Sequence, residues 1–220
     1  MSWLDRLRGK PTPPPVPDPT AIRHALPLGF RVNGRVALDT LVFRAHPEAL
    51  TVQLPEGHQG IPAYGHIDLG AGHALHRFYL DDDAYVQVST AGDLIEGIKA
   101  FVFVETVNPP TQAEFQRFIH GHEHLGAASI EYMGRHWQRD FSGEAGGRIP
   151  PVIYDEVLYR HDPPRRDDDL THYAMLYRRE VPELARDEFL LVTAEDYGPT
   201  EFLVTYAIGL DLNTADLDIT

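Results

Sequence analysis

The sequence predicts a β-rich α+β fold in which antiparallel sheets form a sandwich or a partly open barrel with one conspicuous helix. Three observations carry that expectation. Short segments rich in Val, Ile, Phe and Tyr recur along the chain, some with strict two-residue alternation. Turn residues separate several of them, and the intervening helices that parallel crossovers require are missing from the C-terminal third. One stretch of the body carries a complete helix-start signal.

Taken in order, strands are expected over 35–43, 50–54, 75–80, 84–90, 98–104, 129–137, 152–160, 171–179, 188–194 and 201–210. Leu50-Thr51-Val52-Gln53-Leu54 alternates strictly, and Phe202, Val204, Tyr206, Ile208 and Leu210 mark one face of the last strand. Asp81-Asp82-Asp83 lies between two apolar runs and predicts a hairpin, because Asp accepts tight-turn backbone that β-branched residues resist. DPPRRDDD (162–169) and Tyr197-Gly198-Pro199 supply two further turns, so 152–210 reads as a four-stranded antiparallel meander.

The helix is expected after Asn108-Pro109-Pro110. Thr111 is placed to cap it, Glu114 completes a capping box, and Phe115, Phe118 and Ile119 form its apolar face, with an end by Gly126. GEAGG at 143–147 is a loop before Pro150 and Pro151, which makes 143–151 the place where the 21–220 body would subdivide.

A chain of 220 residues supports one full hydrophobic core, and 43% hydrophobic with 24% charged residues is ordinary globular usage. The net charge of −14 opposes binding along a nucleic acid backbone. From Asp187 to the end there are eight acidic residues and no Lys or Arg, which reads as a solvated acidic surface. The absence of cysteine removes thiolate catalysis and disulfide stapling. No apolar run reaches bilayer-spanning length and the start lacks a secretory pattern, so a cytoplasmic location is expected, peripheral at the inner membrane if the N-terminus docks there.

That N-terminus, MSWLDRLRGK, is a basic amphipathic tip over residues 1–10, followed by a proline-rich tether over 11–20. Trp3, Leu4 and Leu7 beside Arg6 and Arg8 suit a weak contact with a membrane surface or an apolar groove on a protein partner.

Among the twelve histidines, His120, His122 and His124 cluster in HGHEH. Were the helix to continue, His120 and His124 would share a face and His122 would point away, leaving two metal ligands and no more. The zincin pattern fails, because Gly126 stands where its second histidine is needed. His66, His73 and His76 with Asp68 form a looser set around a Gly-rich turn. Neither a nucleophile elbow nor a phosphate loop occurs, and no cofactor is expected. Tyr154, Tyr159, Tyr173 and Tyr177 fall on the meander, where they either line a groove or pack the core.

MSWLDRLRGK, ALPLGFRVNGRVALDT (25–40), RFYLDDDAYVQV (77–88) and YAIGLDL (206–212) together resemble the YjfK-like bacterial family of unknown function. The resemblance implies genetic proximity to homologues of phage shock protein A and to small membrane proteins, and hence partners of those kinds. It implies no catalytic residues. The function expected is therefore a non-enzymatic adaptor in a bacterial envelope or membrane stress system. The alternatives are a metal-dependent enzyme using His120 and His124, and a small-ligand-binding β module.

Overall fold

The computed structural model describes residues 26–140, 146–162, 166–198 and 201–220. The tip and tether lie outside the described residues. The strands are β1 (Arg35–Leu38), β2 (His58–Gly60), β3 (Ala63–Gly70), β4 (His73–Tyr79), β5 (Ala84–Ala91), β6 (Leu94–Val107), β7 (Ser129–Tyr132), β8 (Arg135–Arg139), β9 (Val152–Tyr159), β10 (Arg166–Val181), β11 (Arg186–Asp196), β12 (Phe202–Leu212) and β13 (Leu217–Ile219). The helices are α1 (Leu41–Arg44) and α2 (Gln112–Gly121).

Two antiparallel meanders, β3–β6 and β9–β12, join edge to edge. β6 pairs with β12 and β3 pairs with β9, closing an eight-stranded barrel in the order β3-β4-β5-β6-β12-β11-β10-β9. The architecture is thus a closed barrel, neither the sandwich nor the partly open barrel expected. The difference lies in β3. Its Gly-rich sequence reads as a turn, yet its backbone pairs along both edges, with β4 and with β9, and so removes the opening.

The predicted meander, the hairpin at Asp81-Asp82-Asp83 and the helix form as expected. Asp83 takes the left-handed turn conformation (φ 44°), and Thr111 caps α2 by accepting a hydrogen bond from the Glu114 backbone at 3.3 Å. Three expected strands change. Residues 129–137 give the hairpin β7–β8 instead of one strand, because Met133 and Gly134 take left-handed backbone (φ 49° and 69°) and turn the chain. Residues 35–43 give a four-residue strand followed by α1, because the Asp39 carboxylate accepts from Leu41 N at 3.0 Å and turns the chain. Residues 50–54 form no strand: Thr51 N bonds the buried Glu188 carboxylate at 2.8 Å, and a side chain replaces a neighbouring strand as its partner.

An eight-stranded barrel has an interior just wide enough to be filled by side chains. Tyr85, Phe101, Ala174, Phe189, Leu191 and Ala207 fill part of it. The outer wall is covered on two sides. β1, β2 and β13 form a separate antiparallel sheet whose Val36 and Leu38 pack in one cluster with Tyr64, Phe78 and Val86 of the barrel. α2 and the β7–β8 hairpin bring Phe115, Ile119 and Trp137 against Met175, Val192, Val204 and Ile208. Burial on both faces explains why β11 and β12 read as nearly continuous apolar runs rather than alternating ones.

Gly209 is required by the interior: a Cβ there would meet Phe101 Cδ1 at 2.5 Å and the Ala100 carbonyl oxygen at 2.8 Å. Gly209→Ala is expected to cost about 1–3 kcal/mol in urea unfolding through overpacking. Gly97→Ala, whose methyl meets nothing within 4 Å, is expected to change stability by less than about 0.5 kcal/mol.

Candidate functional site

Alternation on the barrel strands sends every second side chain inward, and the inward positions include four buried acidic or basic residues: Arg77 on β4, Glu156 on β9, His172 on β10 and Glu195 on β11. They are 3%, 0%, 2% and 7% exposed, so each needs partners in place of water. Arg77 uses three nitrogens: Nη1 donates to Glu156 Oε2 at 2.8 Å, Nη2 to the Tyr154 hydroxyl at 2.9 Å and Nε to Gln87 Oε1 at 3.1 Å. Glu156 also accepts from the Tyr79 hydroxyl at 2.8 Å, and its Oε2 lies 2.7 Å from His172 Nε2. Gly65 on β3 makes room for this cluster, since a Cβ there would collide with the Glu156 carboxylate.

Burial by itself pushes the Glu156 carboxyl up, but the Arg77 guanidinium, His172 and the Tyr79 hydroxyl together hold it down at about 2, against an ordinary 4.5. The Tyr79, Tyr85 and Tyr154 hydroxyls are pushed up, chiefly by burial. Glu195 stands apart from the ion pair. Its Oε1 accepts from Thr205 Oγ1 at 2.8 Å and its Oε2 from the Tyr197 hydroxyl at 2.9 Å. His172 Nδ1 is directed at Glu195 Oε1 from 4.0 Å and has no hydrogen-bond partner.

Glu195 also lines a cavity of about 450 Å³ at one end of the barrel. Tyr79, Phe103, Leu158, Leu203 and Thr205 help to form its walls, and Asp83, Glu105, Arg160 and Tyr197 also border it. Tyr79, Phe103, Glu195 and Thr205 line as well a narrow gap of about 10 Å³ that reaches Arg77. The buried polar cluster therefore lies beneath an accessible mouth.

The other candidate residues fall elsewhere. Trp3, Leu4, Arg6, Leu7 and Arg8 are outside the described residues. α2 ends at Gly121, so the helical register that would bring His120 to His124 is lost. His120 Nε2 lies 3.2 Å from Gln116 Oε1, while His122 and His124 come together on the outer wall with ring centroids 4.7 Å apart. His124 Nδ1 is 3.1 Å from the Tyr206 hydroxyl. Burial pushes both His122 and His124 down. His66 and His76 face each other across β3 and β4 at 5.4 Å, His73 meets Glu96 at 3.2 Å, and Asp68 bonds Gly70 N at 2.8 Å. Among the described residues no group of three or more His, Asp or Glu is arranged to hold a metal. Of the four meander tyrosines, Tyr154 faces inward and Tyr159, Tyr173 and Tyr177 pack in the outer clusters, so they line no common groove.

A family model described as "Protein of unknown function (DUF2491)" matches residues 3–218. The chain belongs to the DUF2491 family. The "Uncharacterized protein YjfK" of Escherichia coli (strain K12) is 32% identical over 225 residues, which cover 99% of this chain and 98% of that protein. The resemblance read from the sequence thus holds over nearly its whole length. No solved structure matches the chain. Among the described residues of this DUF2491 protein, no helix is long and apolar enough to cross a membrane.

The interior residues escaped the sequence reading because they share no motif. Their one signal is an ionisable residue at the inward phase of an apolar strand, as in HRFYL, YDEVL and THYAM. Two outcomes test the cluster. Arg77→Met leaves a buried carboxylate without its cation and is expected to cost about 3–5 kcal/mol of stability. Glu156 binds its proton near pH 4.5 unfolded and near 2 folded, so its contribution is complete above pH 4.5 and is lost as pH falls towards 2. Glu156→Gln is accordingly expected to flatten the acid limb of stability in that window, as measured by urea titrations at stepped pH.

Proposed function

We propose that this barrel is a binding module for a small molecule that enters at the mouth and rests against Glu195, Tyr79, Phe103 and Thr205. The observation that supports the reading is the cavity of about 450 Å³ placed directly over a buried polar cluster. Ligand sites commonly combine apolar and aromatic walls with a few fixed polar groups, and barrel mouths are one of their usual places. Tyr79 ties the two parts together: its ring lines the cavity while its hydroxyl is held by Glu156.

Ala63→Trp tests this, because Ala63 sits on the cavity wall opposite Tyr79 on β4 and a bulky ring there fills the mouth. A thermal-shift panel of small metabolites is expected to contain compounds that raise the melting temperature of the native chain and leave Ala63→Trp unmoved. Equal shifts in both would place binding somewhere else.

A second reading is the adaptor in an envelope or membrane stress system, with a homologue of phage shock protein A or a small membrane protein as partner. One feature of the body favours it. The barrel end opposite the mouth carries exposed Leu69, Leu94, Ile95 and Ile153 on its turns and strand ends, which suits an apolar protein contact. In pull-downs, deleting residues 1–19 or introducing Leu94→Asp is expected to lose a partner that the intact chain recovers, whereas Ala63→Trp is expected to keep it.

A further inference from the structure

The charges inside the barrel do not all cancel. Lys99 is paired with Asp211 at the end away from the mouth. Arg77 is matched by Glu156, and all three of its nitrogens are already donating. Glu195 is the remainder: 7% exposed, it is held by two neutral hydroxyls, and His172 Nδ1 lies 4.0 Å from its Oε1, beyond hydrogen-bond reach. A buried carboxylate without a cation is costly, and this one opens onto the cavity.

The cavity's other linings have the same preference. Asp83 is acidic, and Tyr79, Phe103 and Tyr197 present aromatic rings, whose faces attract cations, whereas the Glu105 carboxylate is taken up on the outer wall by the Tyr132 hydroxyl at 2.7 Å. Arg160, the one basic residue in the lining among the described residues, is exposed, and Arg77 is 3% exposed with each of its three nitrogens already donating to a neighbour.

We infer that the ligand of this mouth carries a positive charge, an amine or a guanidinium, which seats on the Glu195 carboxylate against the Tyr79 and Phe103 rings. The inference rests on the proposed ligand-binding role and narrows it to a chemical class. The cation would supply the counter-charge that Thr205 and Tyr197 cannot, and it would have the apolar remainder of the ligand lie along Leu158 and Leu203.

Titration of the full chain with n-butylamine, n-butanol and n-butyrate, equal in chain length and different in charge, tests it with methyl NMR of Leu158 and Leu203 as the site-specific readout. Butylamine is expected to shift both methyls and raise the melting temperature, with butanol weaker and butyrate without effect. Glu195→Gln is expected to weaken butylamine by about tenfold or more and leave butanol unchanged. Should that variant not fold, Phe103→Leu, which removes an aromatic face and keeps Glu195, is expected to weaken butylamine selectively. Butanol or butyrate binding at these methyls as well as butylamine does would overturn the charge assignment and leave the mouth as a ligand site. No shift with any of the three would overturn the site itself, and the inference with it.

Discussion

Glu156 cannot be solvated where it stands. The interior of an eight-stranded barrel has no room for the water a carboxylate would otherwise hold, so its oxygens depend on Arg77, Tyr79 and His172. Arg77 and Tyr79 come from β4 and His172 from β10, while Glu156 itself is on β9. β3 lies between β4 and β9, and the two can meet across it only because Gly65 contributes no side chain. The ion pair therefore exists only in the closed ring. It also fixes register: a slip of one residue in β9 would turn Glu156 to the outer wall and leave Arg77 buried alone.

The same closure governs the outer surface. Once the strands are joined in a ring, their outward side chains need covers, and the chain provides two: the small sheet β13-β1-β2 on one side, α2 with the β7–β8 hairpin on the other. The HGHEH segment belongs to the second cover. Where α2 ends, His122 stacks on Phe118 at 4.3 Å and His124 meets the Tyr206 and Tyr132 rings. Rings locked in this way against a barrel wall explain the local wealth of histidine by packing and hydrogen bonding.

How much of this was legible in the sequence follows from how local each signal is. The α2 start, the Asp81-Asp83 hairpin and the β9–β12 meander rest on neighbours within a few residues, and they read correctly. β3 does not: Gly65, Gly70, His66 and Asp68 are poor strand formers alone, and only the pairings with β4 and β9 make them one. Missing β3 meant missing the closure, and without closure there is no inside. Residues 50–54 show the converse, an ideal alternating pattern overridden by a distant carboxylate, Glu188, which also binds Arg179 Nε at 2.7 Å. Arg77, Glu156, His172 and Glu195 could not be grouped from spacing, because the ring that gathers them is non-local.

Inside that ring, filling and charge pairing are unevenly distributed. Away from the mouth, Phe101 and Phe189 pack in one cluster and Lys99 lies 3.9 Å over the Phe189 ring beside its partner Asp211. In the middle, the Glu156 carboxylate, the Arg77 guanidinium and the Tyr79 hydroxyl are all satisfied. At the mouth, space is left open and, among the described residues, Glu195 has no Lys or Arg partner. An open volume forfeits dispersion contacts, and a carboxylate in low dielectric without a counter-charge loses solvation it does not recover. Both penalties fall at the mouth, whereas the Glu156 carboxylate and the Arg77 guanidinium compensate each other. Local departures from an otherwise consistent design are the usual mark of a site kept for an occupant at the expense of stability.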